Sequence, residues 1–306
     1  MTVVTRFAPS PTGPLHIGSL MAALASYLDA RANGGLWKLR IDDIDATRCK
    51  PAYAEQIKTC LQNFGLRWDG EATSQQIRAG DDGVYAQALQ ILEVRTAVYA
   101  CICSRKEIAD SALLNMPEGP LYLGVCRHKK YPPSQQNSGV RLNVGDAKIS
   151  YNDRIQGGQS HYLAHACGDF ILKRKDGLFA YQLSVVVDDD LEGITHIVRG
   201  ADLLDSTPRQ IYLQQLLGCP TPVYAHLPVA LTPAGEKLSK QTLAPALPLQ
   251  PSAAEALAML LNCLRFLGQS VDGLSESDTP TALLKMATER WNIGAVPRLQ
   301  GAIYSG

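Results

Sequence analysis

The apolar positions of the first hundred residues alternate between two spacings, one typical of buried strands and one typical of helices. Thr2–Ala8 is a short β-branched and apolar run, which predicts a buried strand. Leu15–Arg31 carries apolar residues at helical spacing, and the glycines after Asn33 end that helix. The same rules predict one more strand and two more helices, at Trp37–Ile41, Pro51–Phe64 and Val84–Val94. Strands that alternate with helices indicate a parallel sheet.

This pattern changes after Tyr99. Cys101–Tyr131 is irregular, and short strands around turns are predicted at Val140–Tyr151 and Phe170–Arg174. Regular alternation then returns, with strands predicted at Thr195–Arg199 and Val223–Leu227 and helices at Pro208–Leu217, Ser252–Leu267 and Pro280–Glu289. We therefore expect an α/β domain in two halves, residues 1–100 and 191–245, with an insertion at 101–190 and a short helical C-terminal region at 246–306.

Composition adds few constraints. The 306 residues are 46% hydrophobic and 19% charged, which is ordinary for a globular protein. Lys and Arg total 29 and Asp and Glu total 29, so a phosphate-binding surface must be a local patch, and 127–130 and 173–175 are the candidate basic runs. The N-terminus lacks the pattern of a signal peptide, and the apolar runs are too short for a membrane span. We expect a cytoplasmic protein without a membrane partner.

A stiff loop separates the first predicted strand from the first predicted helix. It contains three prolines between Pro9 and Pro14, and His16-Ile17-Gly18 follows where the helix starts. The free N–H groups and positive end of a helix bind phosphate, His16 can donate to a phosphate oxygen, and Gly18 leaves room for a base or ribose. A lone H-x-G is more often a capped turn, but the complete string predicts a nucleotide site.

A second loop, Gly235–Lys240, has Lys237 and Lys240 on either side of Ser239. Mobile lysines suit a polyphosphate whose charge grows as pyrophosphate leaves. Alone, the loop would be read as a solvated turn. Because it follows a second βα unit, we expect it to complete a split ATP site with His16 and Gly18.

These segments resemble the motifs of class I glutamyl-tRNA synthetases. Arg6–Gly13 followed by Leu15–Gly18 is similar to their HIGH region. Further segments resemble their LRIEDTD, GDF…Y, VVDD, GITHVIRGxD and KMSKS motifs, and these are Leu39–Asp45, Gly168–Tyr181, Val187–Asp189, Gly193–Asp202 and Lys237–Lys240. The resemblance implies a Rossmann-like catalytic domain and runs from Arg6 to about Lys240.

Only 66 residues follow Lys240, too few for the helical anticodon-binding domains of a complete glutamyl-tRNA synthetase. In this respect the chain resembles the short paralogues, the glutamyl-Q tRNA(Asp) synthetases. That resemblance implies activation of glutamate by ATP and Mg²⁺ without tRNA, then transfer to the queuosine base at the wobble position of tRNA(Asp). We expect His16 and Lys240 to be catalytic and the enzyme to be a monomer.

The resemblance also implies a glutamate pocket. Its expected residues are Arg6, Phe7, Ala8, Pro9, Ser10, Asp42, Tyr181 and Arg199. The chemistry agrees, because two carboxylates require guanidinium groups and an ammonium requires an anion. Asp42 stands where the family usually has Glu, one methylene longer, so either a water bridges to the ammonium or Asp43 shares the contact. Which arginine binds which carboxylate stays open.

Eight cysteines are present, and only Cys101, Cys103 and Cys126 cluster. In a reducing compartment such a cluster indicates a metal before a disulfide. With Tyr122 it resembles the zinc site of part of the family, which implies one structural Zn²⁺ with a tyrosine ligand. Phenolate is an uncommon ligand, so His128 competes for the fourth position, and three unligated thiols are the remaining alternative.

Three other functions compete with the main interpretation. They are a truncated glutamyl-tRNA synthetase that charges tRNA(Glu), a non-catalytic module that binds tRNA or zinc, and a small-molecule adenylyltransferase. The first differs in its acceptor, whereas the second would show no glutamate-dependent exchange of pyrophosphate into ATP. The third would not need the glutamate-pocket residues.

Overall fold

The computed structural model describes residues 2–80, 83–95, 97–111, 115–116, 119–129, 131–132, 135–238, 245–274 and 279–304. Its first part alternates strands and helices, which confirms the prediction. The elements are β1 (Val4–Phe7), α1 (Ile17–Ala32), β2 (Leu36–Ile41), α2 (Pro51–Asn63), β3 (Thr73–Ser74) and α3 (Val84–Val94). The three strands pair in parallel in the order β1-β2-β3. Helix α1 buries Leu20, Leu24 and Leu28, which recur at every fourth position and so share one face.

The middle of the chain is mostly antiparallel. Its elements are β4 (Val98–Cys101), α4 (Arg105–Ser111), β5 (Asn115–Met116), β6 (Gly119–Pro120), β7 (Gly139–Leu142), β8 (Lys148–Asp153), β9 (Gly157–Tyr162), α5 (Leu163–Ala166) and β10 (Phe170–Lys173). Strand β7 lies between β4 and β10, and β8 and β9 form a hairpin. The predicted short strands are confirmed, and a parallel sheet does not continue through this region.

Regular α/β structure returns with α6 (Tyr181–Leu191), β11 (His196–Gly200), α7 (Thr207–Leu217), β12 (Val223–Leu227) and β13 (Val229–Leu231). Strands β11 and β12 pair in parallel, with His196 opposite Val223. The backbone N–H of Thr195 donates to the carbonyl oxygen of Val4 over 2.9 Å, which places β11 beside β1. The two parallel ladders therefore meet at the first strand.

Sequence patterns did not predict helix α6. Its Val185–Val187 run is β-branched, a composition that favours strands, and it is followed by three aspartates. The structure buries Asp188 and Asp189 against arginines of the first half, and these contacts keep the segment helical. The division of the chain at residue 190 stays a prediction, and the contacts of Asp189 favour an insertion that ends before Tyr181.

The C-terminal region packs on the first half. Its elements are α8 (Ala253–Phe266), α9 (Pro280–Arg290) and β14 (Gly301–Ile303), which pairs in parallel with β13. Ser252 and Glu255 form the predicted capping box, and Gly268 follows the helix with a φ of 68°. Leu260 and Leu264 share one apolar core with residues of α1 and β2. Among the described helices, none combines the length and apolar character that crossing a membrane requires.

Candidate active site

One cavity of about 460 Å³ opens at the carboxyl ends of β1, β11 and β12. This volume lies in the range of small-molecule sites, roughly 300–1,000 Å³, and the position is the usual one for ligands of parallel sheets. The cavity is lined by every described residue of the predicted glutamate and ATP sites, namely Arg6, Phe7, Ala8, Pro9, Ser10, His16, Gly18, Asp42, Tyr181, Arg199 and Lys237. Ser239 and Lys240 lie outside the described residues.

Helix α1 starts at the cavity wall. His16 is its N-cap, and the His16 carbonyl oxygen accepts the first helical hydrogen bond, from Leu20 N over 3.0 Å. A Cβ atom added to Gly18 would lie 3.2 Å from two atoms of the His16 imidazole. Gly18 therefore leaves room for the histidine ring itself, beside helical N–H groups that suit an anion.

Arg199, at the end of β11, is held by a buried chain of polar contacts. Its Nε donates to Nε2 of His226 over 3.1 Å, and its Nη2 donates to Thr207 over 2.8 Å. The Nδ1 of His226 lies 2.6 Å from a carboxylate oxygen of Asp153. Burial holds the pKa of His226 below its ordinary value, which fits a neutral ring that donates from Nδ1 and accepts at Nε2. The remaining nitrogen, Nη1, is buried without a partner among the described residues.

Arg6, in β1, already binds a carboxylate of the protein, so only part of its guanidinium group is available to a substrate. Its Nε and Nη2 donate to the two carboxylate oxygens of Asp189 over 3.0 and 3.2 Å. Burial alone would raise the pKa of Asp189, but Arg6 and Arg40 hold it below its ordinary value. Arg6 therefore has Nη1 left for a ligand, because its other two nitrogens fix Asp189 of α6.

Arg40 is fully buried at the centre of this network. Its Nε donates to Asp42 over 2.7 Å, and its Nη1 donates to Asp189 over 2.8 Å and to Glu192 over 3.2 Å. The complete cluster joins Arg6, Arg40 and Arg78 to Asp42, Asp188, Asp189 and Glu192. Three cations face four carboxylates, so the cluster can accept one more positive charge.

Asp42 is the carboxylate of this cluster that lines the cavity. Burial raises the pKa of its carboxyl to about 6, although Arg40 opposes the rise. An ammonium group in the cavity would stabilise the carboxylate form. Asp43 instead accepts hydrogen bonds from Ser74 and Gln76, and it does not line the cavity in the described part of the chain. The geometry favours Asp42 alone as the anion for a ligand ammonium.

Lys237 lies at the opposite wall and forms an ion pair with Asp202. The Nζ–Oδ2 distance is 2.6 Å, and both side chains are more than a third exposed. Exposed ion pairs contribute about 1 kcal/mol or less, so a polyphosphate can compete for this lysine.

The three clustered cysteines converge as predicted. The Sγ atoms of Cys101, Cys103 and Cys126 all lie within 4.8 Å of one another, a separation that one metal ion can bridge. The Tyr122 hydroxyl lies 3.4 Å from Cys101 Sγ and 3.7 Å from Cys103 Sγ. His128 is exposed and is not part of this group. The donor set fits a soft divalent cation, and it favours Tyr122 over His128 as the fourth ligand.

Comparison with known proteins identifies the family. The family described as tRNA synthetases class I (E and Q), catalytic domain, matches residues 2–291. The chain is 51% identical to a glutamyl-Q tRNA(Asp) synthetase from Dechloromonas aromatica over 96% of the chain and 95% of that protein. It is 47% identical to one from Neisseria gonorrhoeae over 96% and 97%.

The chain belongs to the glutamyl-Q tRNA(Asp) synthetase family. Among solved structures, a glutamate tRNA ligase from Elizabethkingia meningosepticum in complex with its amino acid superposes with a TM-score of 0.80 at 25% identity. The match covers 100% of this chain and 67% of the ligase. The predicted Rossmann-like class I catalytic fold is thereby confirmed.

The two basic runs are less available to RNA than their sequence indicates. Arg127 forms an ion pair with Asp169 over 2.7 Å, and Arg174 forms pairs with Asp45 and Asp176. The Nζ of Lys175 donates to a backbone carbonyl oxygen. In this member of the glutamyl-Q tRNA(Asp) synthetase family, the arginines of both runs mainly fix the protein's own loops.

Several functional residues were missed by sequence reasoning. Arg40 lies in β2, where its charge between two apolar residues, Leu39 and Ile41, is the one local signal that could have marked it. His226 and Asp153 lie in β12 and β8, and neither belongs to a motif that was quoted. Their contacts join residues 73 positions apart, and no local pattern encodes such a distance.

Proposed function

We propose that this protein activates glutamate with ATP in the absence of tRNA and then transfers it to the queuosine base at the wobble position of tRNA(Asp). One observation carries the first step: a single cavity holds Asp42 for an ammonium, Arg199 and Arg6 for carboxylates, and a helix N-terminus for phosphate. The acceptor is taken from the names of relatives that match the chain over nearly its whole length.

The activation step needs no protein nucleophile. The α-carboxylate of glutamate attacks the α-phosphorus of ATP, the bond to the β-phosphate oxygen breaks, and pyrophosphate leaves with Mg²⁺. His16 donates to the phosphates at the start of α1, while Lys237 and Lys240 balance charge on the leaving group and the Ser239 hydroxyl donates a hydrogen bond to it. Positioning and charge stabilisation carry such a reaction.

Transfer completes the reaction. A hydroxyl of the queuosine cyclopentene ring attacks the carbonyl carbon of glutamyl-adenylate, and AMP leaves with the bonding electrons while the hydroxyl proton passes to solvent. The residues that hold glutamate need not move between the two steps. Tyr181 stands at the exposed edge of the cavity, where its phenol can donate to the amino acid.

We further propose that Cys101, Cys103, Cys126 and Tyr122 bind one structural Zn²⁺. Bound zinc would tie β4 to the segment that holds Tyr122 and Cys126, which among the described residues packs with Tyr99 in a small apolar cluster. A cytoplasmic location and a monomeric state are part of the same proposal, because the substrates are there and one chain contains the whole cavity.

The decisive experiment has two parts. The first measures glutamate-dependent exchange of pyrophosphate into ATP without tRNA. The second measures labelled glutamate on queuosine-containing tRNA(Asp), on tRNA(Asp) without queuosine and on tRNA(Glu), before and after removal of the terminal adenosine. We expect exchange without tRNA, and a label that requires queuosine and survives the removal. If the label appears on tRNA(Glu) and is lost with the terminal adenosine, the protein is a truncated glutamyl-tRNA synthetase. If no pyrophosphate is exchanged into ATP, it is a non-catalytic module.

A further inference from the structure

A second cavity, of about 550 Å³, lies next to the first. It is enclosed by β10, by the start of α6 and by α4, which belongs to the middle region of the chain. Tyr181 lines both cavities, and its side chain is 38% exposed. Tyr181 therefore stands between the space proposed for glutamate and this second space, to which no substrate has been assigned. Tyr122, the proposed zinc ligand, also lines the second cavity.

The walls of the second cavity carry positive charge. Arg105, Arg141 and Arg209 line it together with one carboxylate, that of Asp169. Asp169 is 1% exposed and is already committed, because it pairs with Arg127 and accepts a hydrogen bond from Tyr99. The cavity is thus cationic toward a ligand, and guanidinium groups are the side chains best suited to phosphate.

Arg141 is held in a fixed orientation. Its guanidinium carbon lies 3.9 Å from the centre of the Tyr122 ring, and its Nη1 donates to the carbonyl oxygen of Asp169 over 2.8 Å. Its Nε is buried without a partner among the described residues. A planar cation stacked on a planar ring leaves its other face as a platform for a further flat group, such as a nucleobase.

We propose that this second cavity binds the acceptor nucleoside of the RNA substrate, with Arg105 and Arg141 contacting the base or its flanking phosphates. The proposal rests on the proposed function, because the acceptor hydroxyl must reach the activated carboxyl group beside Tyr181. His16 and Lys237 line only the first cavity, and Arg105 and Arg141 line only the second, so ATP and the RNA would contact different residues. Apolar side chains of the cavity, including Ile108 and Phe170, suit the faces of a base.

Helix α4 offers a matched pair of variants. Arg105 lines the cavity, whereas Lys106 is exposed on the same helix and does not line it. We expect R105A to raise the KM for queuosine-containing tRNA(Asp) by about tenfold. It should also reduce the slope of log binding constant against log salt concentration by about one, whereas both values for K106A should stay near wild type. Glutamate-dependent pyrophosphate exchange should be unchanged in both, because it needs no RNA. Equal effects of R105A and K106A on transfer would overturn the proposal, since that result indicates general attraction only.

A steric pair tests the same cavity without removing charge. Ala109 is exposed and lines the cavity, while Asp110 is exposed and does not. We expect A109F to block transfer to tRNA while exchange continues, and D110F to transfer normally. Normal transfer by A109F would overturn the proposal, as would loss of exchange in the same variant. A wild-type protein that exchanges pyrophosphate but labels no tRNA would instead contradict the proposed acceptor, so the two failures are distinguishable.

Discussion

The Nε of Arg199 lies 3.1 Å from Nε2 of His226, and both side chains are buried at the back of the glutamate cavity. His226 is in turn fixed by Asp153, so a carboxylate, an imidazole and a guanidinium form one chain. It ends at Nη1 of Arg199, which has no partner among the residues that the structure describes. We infer that His226 is a positioning residue, which acts on the substrate through Arg199.

Replacement of His226 should therefore change the KM for glutamate without changing the KM for ATP. We expect H226L to raise the KM for glutamate about tenfold, the effect of losing one charge-assisted contact, with little change in kcat or in the KM for ATP. In H226Q the amide oxygen can still accept from Arg199, so its KM should lie between those of wild type and H226L. Parallel changes in the two KM values would show a general structural role instead.

The second prediction concerns pH. In the proposed site, the carboxylate of Asp42 would bind the substrate ammonium and the protonated carboxyl would not. Because burial raises the pKa of Asp42 to about 6, this binding is lost as the pH falls through 6. The carboxyl groups of glutamate stay ionised there, since their pKa values are about 4 or lower. We expect the KM for glutamate at saturating ATP to rise about fivefold from pH 6 to pH 5, and about tenfold from pH 7 to pH 5.

The D42N variant is the control for this titration. It should have a high KM for glutamate at all pH values between 5 and 8, without the rise below pH 6. A rise of the same size in D42N would assign the titration to another group.

A third prediction concerns stability. R40M removes the fully buried cation that four carboxylates share, and an uncompensated buried charge typically costs about 3–5 kcal/mol. We expect denaturant unfolding to show a decrease of that size. R48M is the matched control, because Arg48 pairs with Asp45 while 73% of its side chain is exposed, and the expected loss is below about 1 kcal/mol. Equal losses would mean that the buried network is not stabilising.

The fourth prediction concerns the metal cluster. We expect about one zinc ion per chain, with Y122F binding it more weakly and H128A binding it as wild type does. Metal content after dialysis against a chelator measures this directly. Because Arg141 stacks on Tyr122, chelation should also impair transfer to tRNA before it impairs pyrophosphate exchange. Loss of zinc in H128A with retention in Y122F would reassign the fourth ligand.

The fifth prediction tests the second loop of the split ATP site. K240A should lower pyrophosphate exchange by orders of magnitude and leave the unfolding free energy unchanged, since its charge acts on the leaving phosphates. Exchange at the wild-type rate would remove Lys240 from the mechanism.

Sequence reasoning was most successful for site residues that lie at the ends of strands. Arg6 and Arg199 lie near the ends of β1 and β11, and Asp42 directly follows β2. Their meeting at one cavity follows from a parallel sheet whose carboxyl ends share an edge. Sequence reasoning did not identify residues inside helices and strands whose interaction partners lie far away in the sequence. Arg40 looks like one polar residue of a strand until Asp189 and Glu192 surround it. Helix α6 was missed for the same reason, because buried ion pairs override the strand preference of its valines.

The contact between Arg6 and Asp189 also has a consequence during synthesis of the protein. The two residues are 183 positions apart, so the ribosome must add more than half of the chain before Arg6 meets its partner. At roughly 5–20 residues per second this delay is about 10 to 40 s. Burying the Arg6 guanidinium without an anionic partner costs too much free energy, so strand β1 cannot complete its part of the sheet earlier. The cavity proposed for glutamate is thus completed late in translation, and we expect a nascent chain released before residue 189 not to bind the amino acid.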